Sequence, residues 1–264
     1  MGNRRPLLLA AGLLGAGIAT ALAPATAEEL PARIDWGERY TVSSPIAGVV
    51  REIAVRAGDR VEAEQPLFTL DTRRLQADAR AAEAKRERLR LELTEADREV
   101  ERAEELYDRT LIAVRELELA RIERSMAAAR LARAEAQLQK IRVDIGDSRI
   151  EAPAAGRMLS VTVTVGEAVS PALAPPVLAT LGTTDPMRAV TTVDAATAAG
   201  LEPGQPARVG IDGERFSGTV GVIGWEPEDI GFGTGYRVDI HFSPPDSLRL
   251  RAGQSAEVRL GSGE

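Results

Sequence analysis

Pro45-Ile46-Ala47-Gly48 is followed, with nine residues intervening, by Gly58-Asp59-Arg60-Val61, and Pro153-Ala154-Ala155-Gly156 is followed at the same interval by Gly166-Glu167-Ala168-Val169. Each copy then runs into a short apolar segment, Pro66-Leu67-Phe68-Thr69-Leu70 in the first and Val177-Leu178-Ala179-Thr180-Leu181 in the second. Self-similarity at a fixed spacing marks a duplicated supersecondary unit. Apolar residues alternate within the copies, at Leu159, Val161, Val163 and Val165, and at Val49, Ile53 and Val55 with Arg51 interrupting. Period-two patterning bounded by Pro and Gly predicts short strands and tight turns. Gly58 and Gly166 each precede an acidic residue, as in turns that need positive φ. A unit of some forty residues is too small to bury a core alone, so the two copies are expected to face each other and close a small flattened barrel.

Between the copies, residues 72–147 are nearly free of Gly and Pro and dense in Ala, Leu, Glu and Arg. Positions 75, 79, 82, 86, 89, 93, 96, 100, 103 and 107 form a 3-4 heptad seam broken only by Arg86, and positions 117, 120, 124, 127, 131, 134, 138 and 141 form a second, broken only by Arg124; such seams predict paired helices. Asp108 to Arg115 interrupts the register and must hold the turn. Because the flanking halves have to meet, the insert has to return to its start, as an antiparallel hairpin with arms of roughly 50 Å at 1.5 Å per residue.

From Met187 the pattern is strand again, with a short helical turn over Ala195 to Leu201 and strands at Val209–Ile211, Phe216–Ile223, Tyr236–Phe242 and Ala256–Leu260, spacings suited to a small barrel. Gly231-Phe232-Gly233-Thr234-Gly235 lacks phosphate-loop spacing and reads as a hairpin loop, and Glu226, Glu228 and Asp229 read as a solvated loop. The fold class is α+β, mainly β with a long antiparallel α-helical hairpin. Its expected parts are residues 28–71 plus 148–182 as the flattened barrel split by the hairpin, 72–147 as the hairpin, and 183–264 as a small β-barrel.

Composition narrows function. There is no cysteine and one histidine, His241, which excludes thiolate zinc sites and thiol catalysis and leaves little for a histidine metal site or a serine–histidine triad. No metal site and no cofactor are expected. A net charge of -7 with 3% aromatics argues against nucleic acid, which wants a basic surface with stacking rings. Asn3-Arg4-Arg5, the apolar stretch Leu7–Ala23 and Ala25-Thr26-Ala27 have the order of an export signal over residues 1–27, cut before Glu28; an uncleaved inner-membrane anchor is the alternative.

Half-motif, helical hairpin, half-motif, small barrel is the order of periplasmic adaptor, or membrane fusion, proteins of the HlyD type. The chain resembles them at Ser44-Pro45-Ile46-Ala47-Gly48-Val49-Val50, Ala57-Gly58-Asp59-Arg60-Val61, Leu67-Phe68-Thr69-Leu70-Asp71, Ile150-Glu151-Ala152-Pro153-Ala154-Ala155-Gly156 and Val165-Gly166-Glu167, and at Leu250–Val258 in the last barrel strand. The resemblance implies that residues 28–71 plus 148–182 form a lipoyl-like barrel-sandwich hybrid split by the hairpin, and that the chain is a non-catalytic bridge across a Gram-negative envelope, periplasmic and associated with the inner membrane. Its partners would be an inner-membrane transporter of proton-driven or ABC type, a TolC-like outer-membrane channel, and further copies in a ring. It also implies that the hairpin tip docks the channel through an arginine, a leucine four residues on and a serine seven further; Arg102 and Leu106 fit, and Ala113 stands at the serine position. Arg109, Leu111, Ile112 and Arg115 lie at the same tip. A biotinyl or lipoyl carrier would need a lysine on the turn joining the halves, whereas Lys85 and Lys140 sit within the helices. A periplasmic coiled-coil scaffold would share the hairpin but gives no reason for the duplication.

Overall fold

The computed structural model describes residues 29–172, 176–245 and 247–261; the expected export signal lies outside them. In chain order the first strands are β1 (Glu29–Asp35), β2 (Arg39–Ser43), β3 (Gly48–Ile53), β4 (Arg60–Val61) and β5 (Pro66–Leu70). Two helices follow, α1 (Arg73–Asp108) and α2 (Val114–Asp147), then β6 (Arg149–Glu151), β7 (Gly156–Val161), β8 (Ala168–Val169) and β9 (Val177–Gly182). The remainder is β10 (Met187–Val193), α3 (Ala195–Gly200), β11 (Pro206–Ile211), β12 (Glu214–Asp229), β13 (Thr234–Phe242) and β14 (Ser255–Leu260).

The duplicated halves interlock. One four-stranded sheet has the order β2-β9-β7-β4 and the other β6-β5-β3-β8, so each sheet takes strands from both copies. Val61 of the first copy pairs with Gly156 of the second, and Val169 of the second pairs with Gly48 of the first. The turns cross over in the same way: Gly58 N–H donates to Met158 O at 2.7 Å, and Gly166 N–H donates to Val50 O at 2.8 Å. The turns themselves match, since Asp59 accepts from Arg56 N–H at 2.8 Å and Glu167 from Thr164 N–H at 2.9 Å. Gly58 and Gly166 have φ of 95° and 91°, which a side chain adopts only under strain. Between the sheets Val50, Val55, Val61, Leu67, Phe68 and Leu70 pack against Met158, Val163, Val169, Leu178 and Leu181. Each large apolar side chain so buried contributes about 1.5–3 kcal/mol.

The closed barrel has the order β1-β10-β13-β12-β11-β14. This corrects the expected boundary at residue 28: Glu29–Asp35 is a barrel strand, seated between β10 and β14, with Ala32 and Ile34 in the barrel core. The physical reason is that β10 and β14 would otherwise be exposed edges, and β1 removes both. A second correction concerns β12, which extends to Asp229, so Glu226, Glu228 and Asp229 belong to a strand.

Barrel and sandwich meet at a tightly fitted junction. Trp36 lies against Gly182, where an added Cβ would sit 2.7 Å from the indole, and a Cβ on Gly37 would fall 2.0 Å from Pro186 O. Arg188 donates to Trp36 O at 2.9 Å and pairs with the buried Asp239 at 3.1 Å, which Arg237 also holds. Burial alone would raise the Asp35 carboxyl, but hydrogen bonds from Arg39 and Trp36 N–H, with the charge of Arg188, hold it below its ordinary value.

The glycines of the two P-x-x-G copies meet different neighbours. A Cβ on Gly156 would lie 2.3 Å from the backbone oxygen of Gly182, whereas one on Gly48 would lie 3.0 Å from the end of the Leu70 side chain. Backbone yields less than a side chain does, but Leu70 is itself buried and its Cβ would lie 3.3 Å away, so Gly156→Ala is expected to cost about 2–3 kcal/mol and Gly48→Ala about 1 kcal/mol. Thermal unfolding of the two variants tests this; an equal loss would show the fit at Gly156 to be unimportant.

Candidate functional site

The functional candidates are the two poles of the molecule. Strand β2 runs from Arg39, paired with Gly182 beside the barrel, to Ser43 at the other end of the sandwich. There Pro45 lies near Gly146, Asp147 and Arg149 at the root of the helices. The helices therefore leave the sandwich opposite the barrel. They run antiparallel, as cross-pairs show: Arg142 to Glu83 at 2.7 Å near the root, Arg124 to Asp97 at 2.7 Å midway, and Arg121 to Glu104 at 2.8 Å toward the tip. Leu89 and Ala96 of α1 and Leu117, Ala127, Ala134, Leu138 and Ile141 of α2 are buried in the seam. Arg124 occupies a seam position and stays exposed because its guanidinium turns outward to Asp97.

The root is held by a charged clamp. Arg73 donates side-chain and backbone hydrogen bonds to Asp71 at 2.6–3.0 Å, and these bring the Asp71 carboxyl down to about 2.

At the tip, residues 109–113 turn the chain between the helices. Thr110 takes a φ of 59°, and Leu111 N–H donates to Leu106 O at 2.9 Å. Arg109 and Arg115 are exposed, Ile112 is half-buried, and Leu111 is 66% exposed, too open to serve as a plug for the coiled coil. Leu106 is half-buried beneath the turn, and Ala113 caps α2. Arg102 lies six residues before the end of α1, where it pairs with Glu99 at 2.7 Å. The structure thus gathers Leu106, Arg109, Leu111, Ile112 and Arg115 at the tip and leaves Arg102 on the shaft. Pro45, Gly48, Gly58, Asp59, Pro153, Gly156, Gly166 and Glu167 are all in the interlocked turns and strands.

Exposed apolar residues also occur where sequence reading had not placed them. Leu119, Ile122 and Met126 are each about half exposed on α2, at 3-4 spacing on the face away from the seam; that spacing was available in the sequence. Val114 at the tip and Trp225 on β12 are exposed as well. Among the described residues no group of three or more His, Cys, Asp or Glu is placed to hold a metal ion, and no helix is long and apolar enough to cross a membrane.

Comparison with known proteins agrees with this architecture. The RND MFP barrel-sandwich hybrid domain family matches residues 38–181, starting just after the strand that joins the barrel. The chain belongs to the RND membrane fusion protein family. It is 24% identical over 245 residues to the macrolide export protein MacA of Escherichia coli, covering 86% of this chain and 66% of that protein. To the nickel-cobalt-cadmium resistance protein NccB of Alcaligenes xylosoxydans it is 34% identical over 152 residues, 57% of this chain and 36% of that one. The chain therefore spans just under two thirds of MacA and about a third of NccB. Among solved structures, a membrane fusion protein from Streptococcus pneumoniae superposes with a TM-score of 0.69 at 18% identity, covering 90% of this chain and 100% of that one.

The root clamp generates a pH prediction. The folded carboxyl at about 2 lies below the unfolded value of about 3.9. Its stabilising effect is therefore present above the unfolded value and is lost as pH falls through about 2. An NMR titration should place the Asp71 midpoint near 2, and Arg73→Met should return it toward about 3.9. An unchanged midpoint in the variant would show that Arg73 is not the cause.

Proposed function

We propose that the chain is a periplasmic adaptor, associated with the inner membrane, that links an inner-membrane exporter to an outer-membrane channel without catalysing a reaction. The observation that carries this reading is the interlocked pair of half-motifs with a long hairpin projecting from one side and a closed barrel on the other, in a chain of the membrane fusion family. The parts divide the work. Residues 72–147 span distance, and residues 39–71 with 148–182 form the rigid collar. Residues 183–264 with Glu29–Asp35 form the exporter-facing barrel.

At the tip Arg109, Leu111, Ile112 and Arg115 would meet a TolC-like channel, with Leu106 beneath them and Arg102 on the approach. Ala113 in place of a serine removes one hydroxyl from that contact. The half-exposed stripe Leu119-Ile122-Met126 on the outer face of α2 supports packing of neighbouring hairpins side by side in a ring, because a helix with apolar seams on opposite faces needs a partner on each. The exporter, of proton-driven or ABC type, would supply energy and choose the cargo.

The test is crosslinking in the native host, with photo-reactive residues in place of Arg109 at the tip and Gly233 in the barrel loop. An outer-membrane channel captured from the first and an inner-membrane transporter from the second is the expected result. A monomeric protein that captures neither would overturn the adaptor reading in favour of a periplasmic scaffold.

A further inference from the structure

Trp225 is 95% exposed, the most open of the large apolar side chains in the described residues. Its position follows from a defect in the β12–β13 ladder. Ile223 faces Val238 and Pro227 faces Tyr236, so four steps on β12 are matched by two on β13, and Trp225 stands on the resulting bulge. Bulges re-aim side chains in this way. Gly224 lies close against β13, where an added Cβ would be 3.3 Å from the backbone N and O of Arg237; Pro227 has no N–H to restore the ladder. Val222, 55% exposed, stands three residues before the indole on the same strand. Beyond it Glu226, Glu228 and Asp229 are all exposed; Asp229 accepts from Gly231 N–H at 2.7 Å, and Arg237, the cation whose charge Glu228 feels, is already committed to Asp239, so the cluster keeps an excess of negative charge. The result is a large apolar side chain beside three exposed carboxylates, on a length of β12 paired with β13 alone, since β11 reaches only to Thr219.

The bulge lies near the barrel pole farthest from the sandwich. β1 and β10 meet the sandwich at Asp35 and Arg188, whereas β13 pairs with the far end of β10, Val193 against Tyr236. Glu29, where the described chain enters the barrel, is at the same far end, and the sequence before it carries the apolar stretch Leu7–Ala23. We infer that Trp225 and its acidic surround are the docking point for a basic surface on the periplasmic side of the inner-membrane exporter. This rests on the adaptor reading above and adds to it the contact residue and the charge of the surface it meets.

Three observations select that occupant. A fully exposed tryptophan is the kind of residue that dominates protein interfaces. Burying the indole in a bilayer would carry Glu226, Glu228 and Asp229 toward hydrocarbon, and desolvating three carboxylates is costly, which disfavours lipid. A second copy offering the same pole would set like charges against each other, which carries a cost of its own.

The experiment uses the full chain in its native host, with a photo-reactive residue in place of Val222 and the adducts identified by mass spectrometry. Parallel chains carry the photo-reactive residue at Leu111 in the tip or at Arg249 near the sandwich end of the barrel. The Val222 position should capture an inner-membrane transporter. Trp225→Ala should cut that yield by about tenfold or more, as expected of a central tryptophan. Glu226→Lys with Glu228→Lys should cut it further and invert its dependence on salt. Both variants are expected to keep the parent's thermal midpoint, because the altered side chains are exposed.

Capture of the transporter from Arg249 but not Val222, or a yield indifferent to Trp225→Ala, would overturn the inference and leave the adaptor reading standing. Adducts at Val222 only with lipid or with a second copy would also overturn it. No transporter or channel from any of the three positions would overturn both.

Discussion

Each half-motif pairs strands within itself, β3 with β5 and β7 with β9, but neither completes its sheet without the other. Gly48 needs Val169 and Gly156 needs Val61, and each glycine turn is pinned to a carbonyl of the other copy. This reciprocity is the constraint on which the rest of the chain depends. The two copies must come together in one orientation, so whatever is inserted between them has to begin and end at adjacent points. An antiparallel helix pair satisfies that condition at any length, because adding residues to both arms moves the tip without moving the root. The reach of the hairpin can therefore vary while the collar stays as it is.

The same reciprocity explains where rigidity lies. On the barrel side the collar continues into Trp36 packed on Gly182, and into the Arg188, Asp239 and Asp35 group, so barrel and sandwich share one fitted boundary. On the hairpin side only Asp71, Thr72 and Ser148 connect the sandwich to the helices, with the Asp71–Arg73 clamp at the first turn. A load applied at the tip thus reaches the sandwich through these covalent connections, the Asp71–Arg73 pair and the Leu70 N–H to Ser148 O hydrogen bond.

Much of this was legible in sequence because it was written locally and twice. The half-motifs were found by spacing, the two seams by heptad position, and the tip turn fell within the interruption from Asp108 to Arg115. What was not legible depended on distant pairing. The residues of β1 alternate as any half-buried strand does, and nothing in Glu29–Asp35 says that the partners are β10 and β14 rather than the neighbouring sandwich. The end of β12 was missed for a different reason: its bulges break the period-two pattern, so Trp225 and the carboxylates after it read as loop. The second apolar face of α2 was present in the spacing of Leu119, Ile122 and Met126, masked by the stronger seam on the opposite side.

The seating of β1 bears on how the protein comes into being. The barrel is closed by pairing two strands far apart in sequence, Glu29 against Arg259, so it cannot form until Ser255–Leu260 is present. The collar and hairpin lie between and are complete sooner. Contacts of such wide sequence separation form late, and an N-terminal strand waiting for its partners is an exposed edge in the meantime. Arrival of Ser255–Leu260 is then the step that ends this vulnerability, and a chain truncated shortly before Ser255 would keep its collar and shaft while leaving β1 as an open edge for chaperones or proteases to find.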